Sequence, residues 1–118
     1  MSSRLDIDTV YGTLRQRLSR LNHIWKAKFR SKAWSYVSCL RQFVPETGTV
    51  FDIGAHHGYW TKEFARIHNG QCRVFAFEPV TYNYSILESV VSRYKNVTAE
   101  QYALSNTTGE RDIFIPVK

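Results

Sequence analysis

Asp52, Gly54, Gly58 and Glu78 stand at spacings that suit the recognition of a nucleoside. An apolar run, Val50-Phe51-Asp52-Ile53, leads into Gly54-Ala55-His56-His57-Gly58. Glycine leaves the main chain bare, so a ligand can approach the backbone closely there. A helix beginning after such a turn offers unpaired N–H groups at its start. A second apolar run, Val74-Phe75-Ala76-Phe77, ends on Glu78, twenty residues past Gly58. A carboxylate at that place can accept hydrogen bonds from both hydroxyls of a ribose. Asp52, at the end of the first run, can orient the turn or accept hydrogen bonds itself. The spacing is Asp-x-Gly-x-x-x-Gly. It lacks the middle glycine of the dinucleotide fingerprint, which favours a ligand with ribose and adenine but no phosphates. Two plainer readings stay open: a solvated strand-end carboxylate for Glu78, and a tight turn alone for the two glycines.

The elements that must position these residues follow from periodicity. Thr49–Ile53 reads as a short apolar strand of the kind that parallel sheets cover on both faces. Tyr59 to His68 reads as a helix with Phe64 and Ile67 on one face, closed by Asn69-Gly70. Cys72–Phe77 is a second strand. Thr81 to Tyr94 is a helix with Ile86, Leu87, Val90, Val91 and Tyr94 as its apolar side. Val97–Leu104 is a third strand, Ser105–Gly109 a turn, and Asp112–Ile115 a short strand that pairs back as a hairpin. Strand, helix, strand, helix, strand predicts an α/β fold with a Rossmann-like parallel sheet.

Upstream, Val10, Leu14, Leu18, Leu21 and Trp25, then Trp34, Val37, Leu40 and Phe43, recur at helical spacing. Two helices are expected, broken near Arg30 to Lys32, with Ser31 placed to cap the second and Pro45 ending it. Residues 1–45 hold nine Lys/Arg against Asp6 and Asp8, whereas residues 46–118 hold seven against eight acids. The chain thus divides into a basic helical extension, 1–45, and a nearly neutral module, 46–118. The extension is expected to pack on the module through its apolar stripe with Lys and Arg outward. Binding of nucleic acid or anionic lipid is the alternative.

The 118 residues suit one domain, and 43% hydrophobic content suits a folded one. No stretch is apolar enough to span a bilayer, and the N-terminus lacks the plan of a secretory signal. A cytoplasmic protein is expected, with Cys39 and Cys72 as buried thiols. The sequons at Asn96 and Asn106 are then chance matches. His56 and His57 have no carboxylate or cysteine spaced to complete a metal set, and His23 and His68 are distant in sequence.

Three segments together resemble the FkbM-type S-adenosylmethionine-dependent methyltransferases of the class I fold. They are Val50-Phe51-Asp52-Ile53-Gly54-Ala55-His56-His57-Gly58-Tyr59, Val74-Phe75-Ala76-Phe77-Glu78-Pro79, and Ala103-Leu104-Ser105-Asn106 with Gly109. The resemblance runs over about residues 44–116 and implies S-adenosylmethionine as cofactor. It implies that Asp52, Gly54, Ala55, His56 and Gly58 line its methionine end. Glu78 would hold the ribose, and Tyr102 and Ala103 the adenine. His56 stands where the family commonly has asparagine. The implied reaction is methyl transfer to an oxygen of a sugar, glycan or natural-product acceptor. The family's fourth strand, which lies beside the first, has no counterpart here, so the module reads as a truncated methyltransferase fold. The first strand would then be an exposed edge open to self-association or a partner chain. No residue stands out as a general base. A non-catalytic adenosyl-binding or assembly module is the rival account, and nucleic-acid binding is disfavoured.

Overall fold

The computed structural model describes residues 7–30 and 33–116, with side chains for 12–30 and 35–116. The side chains of Val10 and Trp34, and the expected cap Ser31, lie outside the described residues. Two helices, α1 (Ile7–Phe29) and α2 (Ala33–Leu40), precede a β–α–β–α–β unit. That unit comprises β1 (Thr49–Ile53), α3 (Tyr59–Arg66), β2 (Arg73–Phe77), α4 (Thr81–Val91) and β3 (Val97–Glu100). The strands are parallel in the order β1-β2-β3, with Ile53 opposite Phe77 and Phe77 opposite Glu100 at their carboxyl ends. This is the α/β, Rossmann-like arrangement expected of the alternating pattern.

One face of the sheet is packed. Val74 and Ala76 of β2 are buried, as are Ile86, Leu87, Val90 and Val91 of α4 and Ala27 of α1. A smaller cluster joins Val37 of α2 to Ile67 and Cys72. The other face differs from expectation: Phe51 and Ile53 of β1 are 61% and 65% exposed. Phe51 stacks on Phe75 and Phe77 across the strands, with ring centroids 5.6 and 6.3 Å apart. The apolar run therefore presents alternate residues to helix and to solvent, and among the described residues nothing covers the aromatic side.

Several boundaries are corrected. β3 ends at Glu100, not Leu104, and residues 112–115 form no strand, so there is no hairpin. Residues 101–116 are exposed throughout, and with no burial to reward it the apolar alternation of Ile113, Phe114 and Ile115 does not become a strand. α3 stops at Arg66 and α4 at Val91. After α3 a 3-10 turn, Ile67–Gly70, places His68 and Asn69 as well as Gly70 at positive φ. Asn96 donates to the carbonyls of Ala65 and Cys72 at 2.9 and 2.8 Å, so its amide fastens the end of α3 to the start of β2. Cys39 is exposed, whereas Cys72 is buried as expected.

The largest correction concerns α1. Its stripe of Leu14, Leu18, Leu21 and Trp25 does not pack on the module; these residues are 50–59% exposed. The opposite side docks on α4 through Ile24, Ala27, Arg20 and His23. Arg20 Nε donates to Ser85 Oγ and Nη2 to the Ser85 carbonyl, each at 3.2 Å. His23 Nδ1 lies 2.9 Å from the Tyr82 hydroxyl, and its ring is 5.1 Å from that of His57. At the C-terminus of α1, Lys62 of α3 is 3% exposed and donates to the carbonyls of Ala27, Lys28 and Arg30 at 2.5, 3.0 and 3.3 Å. Carbonyls at the end of a helix lie beyond its regular bonding pattern, and a cation there also complements the negative end of the helix dipole. Lys62 itself lies 3.8 Å from Glu63, whose other oxygen accepts from Arg66 at 3.1 Å. Burial holds the Lys62 ammonium below the ordinary lysine pKa, with the neighbouring Glu63 opposing.

Lys62→Met keeps the stem and removes the charge, leaving the carbonyls at the end of α1 without their donor and the buried Glu63 without one of its two nearby cations. We expect a loss of about 2–3 kcal/mol in urea unfolding, with faster amide exchange concentrated in the last turns of α1. His57 supplies a pH test. It is held down to about 4 from an ordinary 6.5, first by burial and then by the imidazoles of His56 and His23; its bond to Asn83 and the charge of Glu78 oppose this. Between those values the unfolded chain binds a proton that the folded chain refuses. The contribution is whole above pH 6.5 and is lost as pH falls toward 4. In His57→Gln the urea midpoint should vary less steeply across that window.

Candidate cofactor site

The turn after β1 is built by hydrogen bonds to the end of β2. The N–H groups of Gly54 and Ala55 both donate to the Phe77 carbonyl at 2.9 Å. The next N–H, that of His56, donates to Glu78 Oε2 at 2.9 Å. Glu78 Oε1 accepts from the Val80 N–H at 2.9 Å, and the Glu78 N–H donates to the Glu100 carbonyl at 3.1 Å. Glu78 is 5% exposed. One carboxylate thus joins the turn after β1 to the entry of α4 at the carboxyl edge of all three strands. Each oxygen keeps an acceptor site beyond the bond it already makes.

The two glycines do different work. Gly54 has φ of +76°, and a Cβ placed there meets no atom within 4 Å, so its backbone is open to an approaching molecule. Gly58 has φ of +80°, and a Cβ there would lie 2.8 Å from Leu87 Cδ1. Its bareness lets the start of α3 lie against α4. His56 between them has φ of +51°. Histidine is among the few side chains, with asparagine and aspartate, that enter this region readily. Ala55 is buried in the core cluster.

Asp52 Oδ2 accepts from Thr61 Oγ1 at 2.5 Å, and Thr61, in the first turn of α3, is fully buried. Burial raises the Asp52 carboxyl above the ordinary aspartate pKa, and the Thr61 bond opposes that rise. A charged Asp52 is therefore costly to the fold where it stands. Tyr102 and Ala103 follow β3 at the same carboxyl edge, both exposed. Their segment is tied to the start of α4 through Gln101, whose Nε2 donates to Thr81 Oγ1 at 2.9 Å.

The structure thus brings Asp52 at the end of β1, the turn residues Gly54, Ala55, His56 and Gly58, and Glu78 after β2 together at the carboxyl ends of the strands, and sets Tyr102 and Ala103 after β3 along the same edge. Sequence reasoning missed Thr61, the Val80 N–H and the His23–His57 contact. Thr61 had a signal, being a polar residue three positions into the helix after the turn. His23 had none, since only the docking of α1 brings it near. Among the described residues no group of three or more His, Cys, Asp or Glu is arranged to hold a metal. Two cavities, of about 710 and 240 Å³, lie toward the amino ends of the strands and share Arg66 and Asn69; neither includes a residue of the glycine turn. The turn is walled on the β2 side and open beyond β1, which pairs only with β2 among the described strands.

Comparison with known proteins fits this geometry. A Clostridium thermocellum structure, provisionally assigned as an rRNA methylase, superposes with a TM-score of 0.52 at 19% identity over 64% of this chain and 42% of that one. A SAM-dependent methyltransferase from Aquifex aeolicus gives 0.53 at 18% identity over 67% and 45%. At such identity the likeness is one of fold, and this chain spans less than half the length of either structure. No curated protein matches it by sequence. Residues 52–118, from the aspartate of the turn through the acid of β2 and beyond, match the Methyltransferase FkbM domain, and the chain belongs to that family.

Proposed function

We propose that residues 46–118 form the S-adenosylmethionine-binding part of an FkbM-type methyltransferase that transfers methyl to an oxygen of a sugar or natural-product acceptor. The observation that carries this reading is Glu78: a buried carboxylate at the end of β2, bonded to the glycine turn, beside a Gly54 whose backbone is open to a ligand. The residues fit the group. Glu78 has lone pairs left for ribose hydroxyls, Gly54 leaves room for close approach, and Asp52 offers a carboxylate oxygen beyond the one that Thr61 occupies. When bound, S-adenosylmethionine supplies a methyl group on a sulfonium for a nucleophile to take.

The chain's own residues bind and orient. His56 and Val80 fix the plane of the Glu78 carboxylate, so it meets a ribose without first being ordered. Asp52, costly to bury as a carboxylate, gains compensation when a cationic group arrives, the kind of charge an aminoacyl ammonium or sulfonium carries. Further polypeptide, a partner chain or a second copy, would complete the crevice along the free edge of β1. The acceptor would meet the methyl group there.

Calorimetric titration with S-adenosylmethionine tests the reading. Saturable binding is expected, weakened roughly 10- to 100-fold in Glu78→Gln, with circular dichroism confirming that the variant stays folded. Absence of binding by the folded wild-type chain would overturn the assignment. Asp52→Asn separates binding from stability. Its raised carboxyl favours the fold below the ordinary aspartate pKa, and that advantage is lost as pH rises through the folded value. At neutral pH the amide, which can still accept from Thr61, should therefore raise Tm while weakening the cofactor.

A further inference from the structure

Helix α1 has two apolar sides, and only one has a partner. Ile24 and Ala27 pack on the module, while Leu14, Leu18, Leu21, Trp25 and Phe29 are 50–67% exposed. At 3.6 residues per turn these five fall within about 80° of arc and run for about 22 Å. The ring of Trp25 lies 5.9 Å from that of Phe29 at the C-terminal end of the stripe. Arg17 and Lys28 border the arc on one margin, Arg15 and Lys26 on the other. The helix carries five Lys/Arg and a single acid, Asp8.

We infer that α1 docks this chain on an anionic lipid surface, with Leu14, Leu18, Leu21, Trp25 and Phe29 entering the headgroup–acyl boundary. A leucine and aromatic stripe with cations on both margins is the plan of a helix that lies in the membrane interface. Long basic side chains reach outward to the phosphates while their stems cover apolar surface. A second copy of α1 fits less well, because the margins would bring arginine and lysine against arginine and lysine. A nucleic-acid backbone would satisfy the cations but leave the stripe in water. No helix among the described residues is long and apolar enough to cross a membrane, so the contact is with the surface. His23, on the inward side of α1, touches His57 of the glycine turn, so docking would hold that turn about one helix diameter, 10–12 Å, from the lipid.

Co-sedimentation of the full chain with vesicles tests this directly. Binding is expected to vesicles of phosphatidylcholine and phosphatidylglycerol in equal parts, with much weaker binding to phosphatidylcholine alone. The double substitution Leu18→Glu with Leu21→Glu should abolish it. Arg15→Gln and Arg17→Gln should weaken it roughly fivefold each. All four side chains are exposed, so circular dichroism and the urea midpoint should not move. A folded wild-type chain that ignores the mixed vesicles would overturn the inference. So would binding indifferent to the double glutamate variant. Self-association lost in that variant, without vesicle binding, would assign the stripe to a second copy instead.

Discussion

The Glu78 carboxylate is the constraint on which the rest of the structure turns. Two backbone N–H groups, from His56 and Val80, end on its two oxygens in a setting that is 5% exposed. Hydrogen bonds to a charged acceptor are worth about 1.5–3 kcal/mol each. A carboxylate taken out of water would be untenable without them. The consequence runs both ways. The β2 acid shapes the turn after β1, and that turn makes burial of the acid tolerable. Fold and candidate site share one residue, so a change there alters the geometry of the turn itself.

The glycines show the same economy by a different route. Gly58 is bare because Leu87 occupies the space a Cβ would need, and Gly54 is bare beside empty space. One absence of a side chain serves helix packing and the other serves access. The sequence treats them alike, as two glycines four residues apart, and only the positions of α3 and α4 distinguish them. The positive φ of His56 completes the turn and limits which side chains can stand there.

How much was legible follows from the range of each interaction. β1, its turn, and the acid at the end of β2 are set by local periodicity and by short connections, and Thr49–Ile53 was legible to the residue. That Asp52, the glycine turn and Glu78 come together at the carboxyl ends of β1 and β2 was legible for the same reason. The end of β3 was not, because the alternation in residues 101–115 resembles a strand and lacks only a neighbour to pair with. The facing of α1 was not, because Leu14, Leu18, Leu21 and Trp25 form the stronger apolar pattern, yet Ile24 and Ala27 make the contact. Small and half-polar residues won that face because Ala27 admits close approach to α4 and Arg20 finds Ser85 and Ser89. Lys62 was illegible as well: a lysine reads as surface in any pattern, and burial at 3% makes sense only once three carbonyls at and just past the end of α1 converge on it.

That lysine also binds the two halves of the chain more closely than their charge difference suggests. Lys62 lies one turn into α3, its N–H donating to the carbonyl of Gly58, while its ammonium closes the end of α1. Thr61, the residue before it, holds Asp52. The first turn of α3 therefore supports the glycine turn, the β1 aspartate and the basic extension at once. At the other end of the same contact, His23 reaches from α1 to His57 and Tyr82. The extension is fastened on both sides of the candidate site. α1 therefore meets α4 through Arg20, Ile24 and Ala27, α3 through Lys62 and the glycine turn through His57, and the last two belong to the elements that hold Asp52 and Glu78 in place.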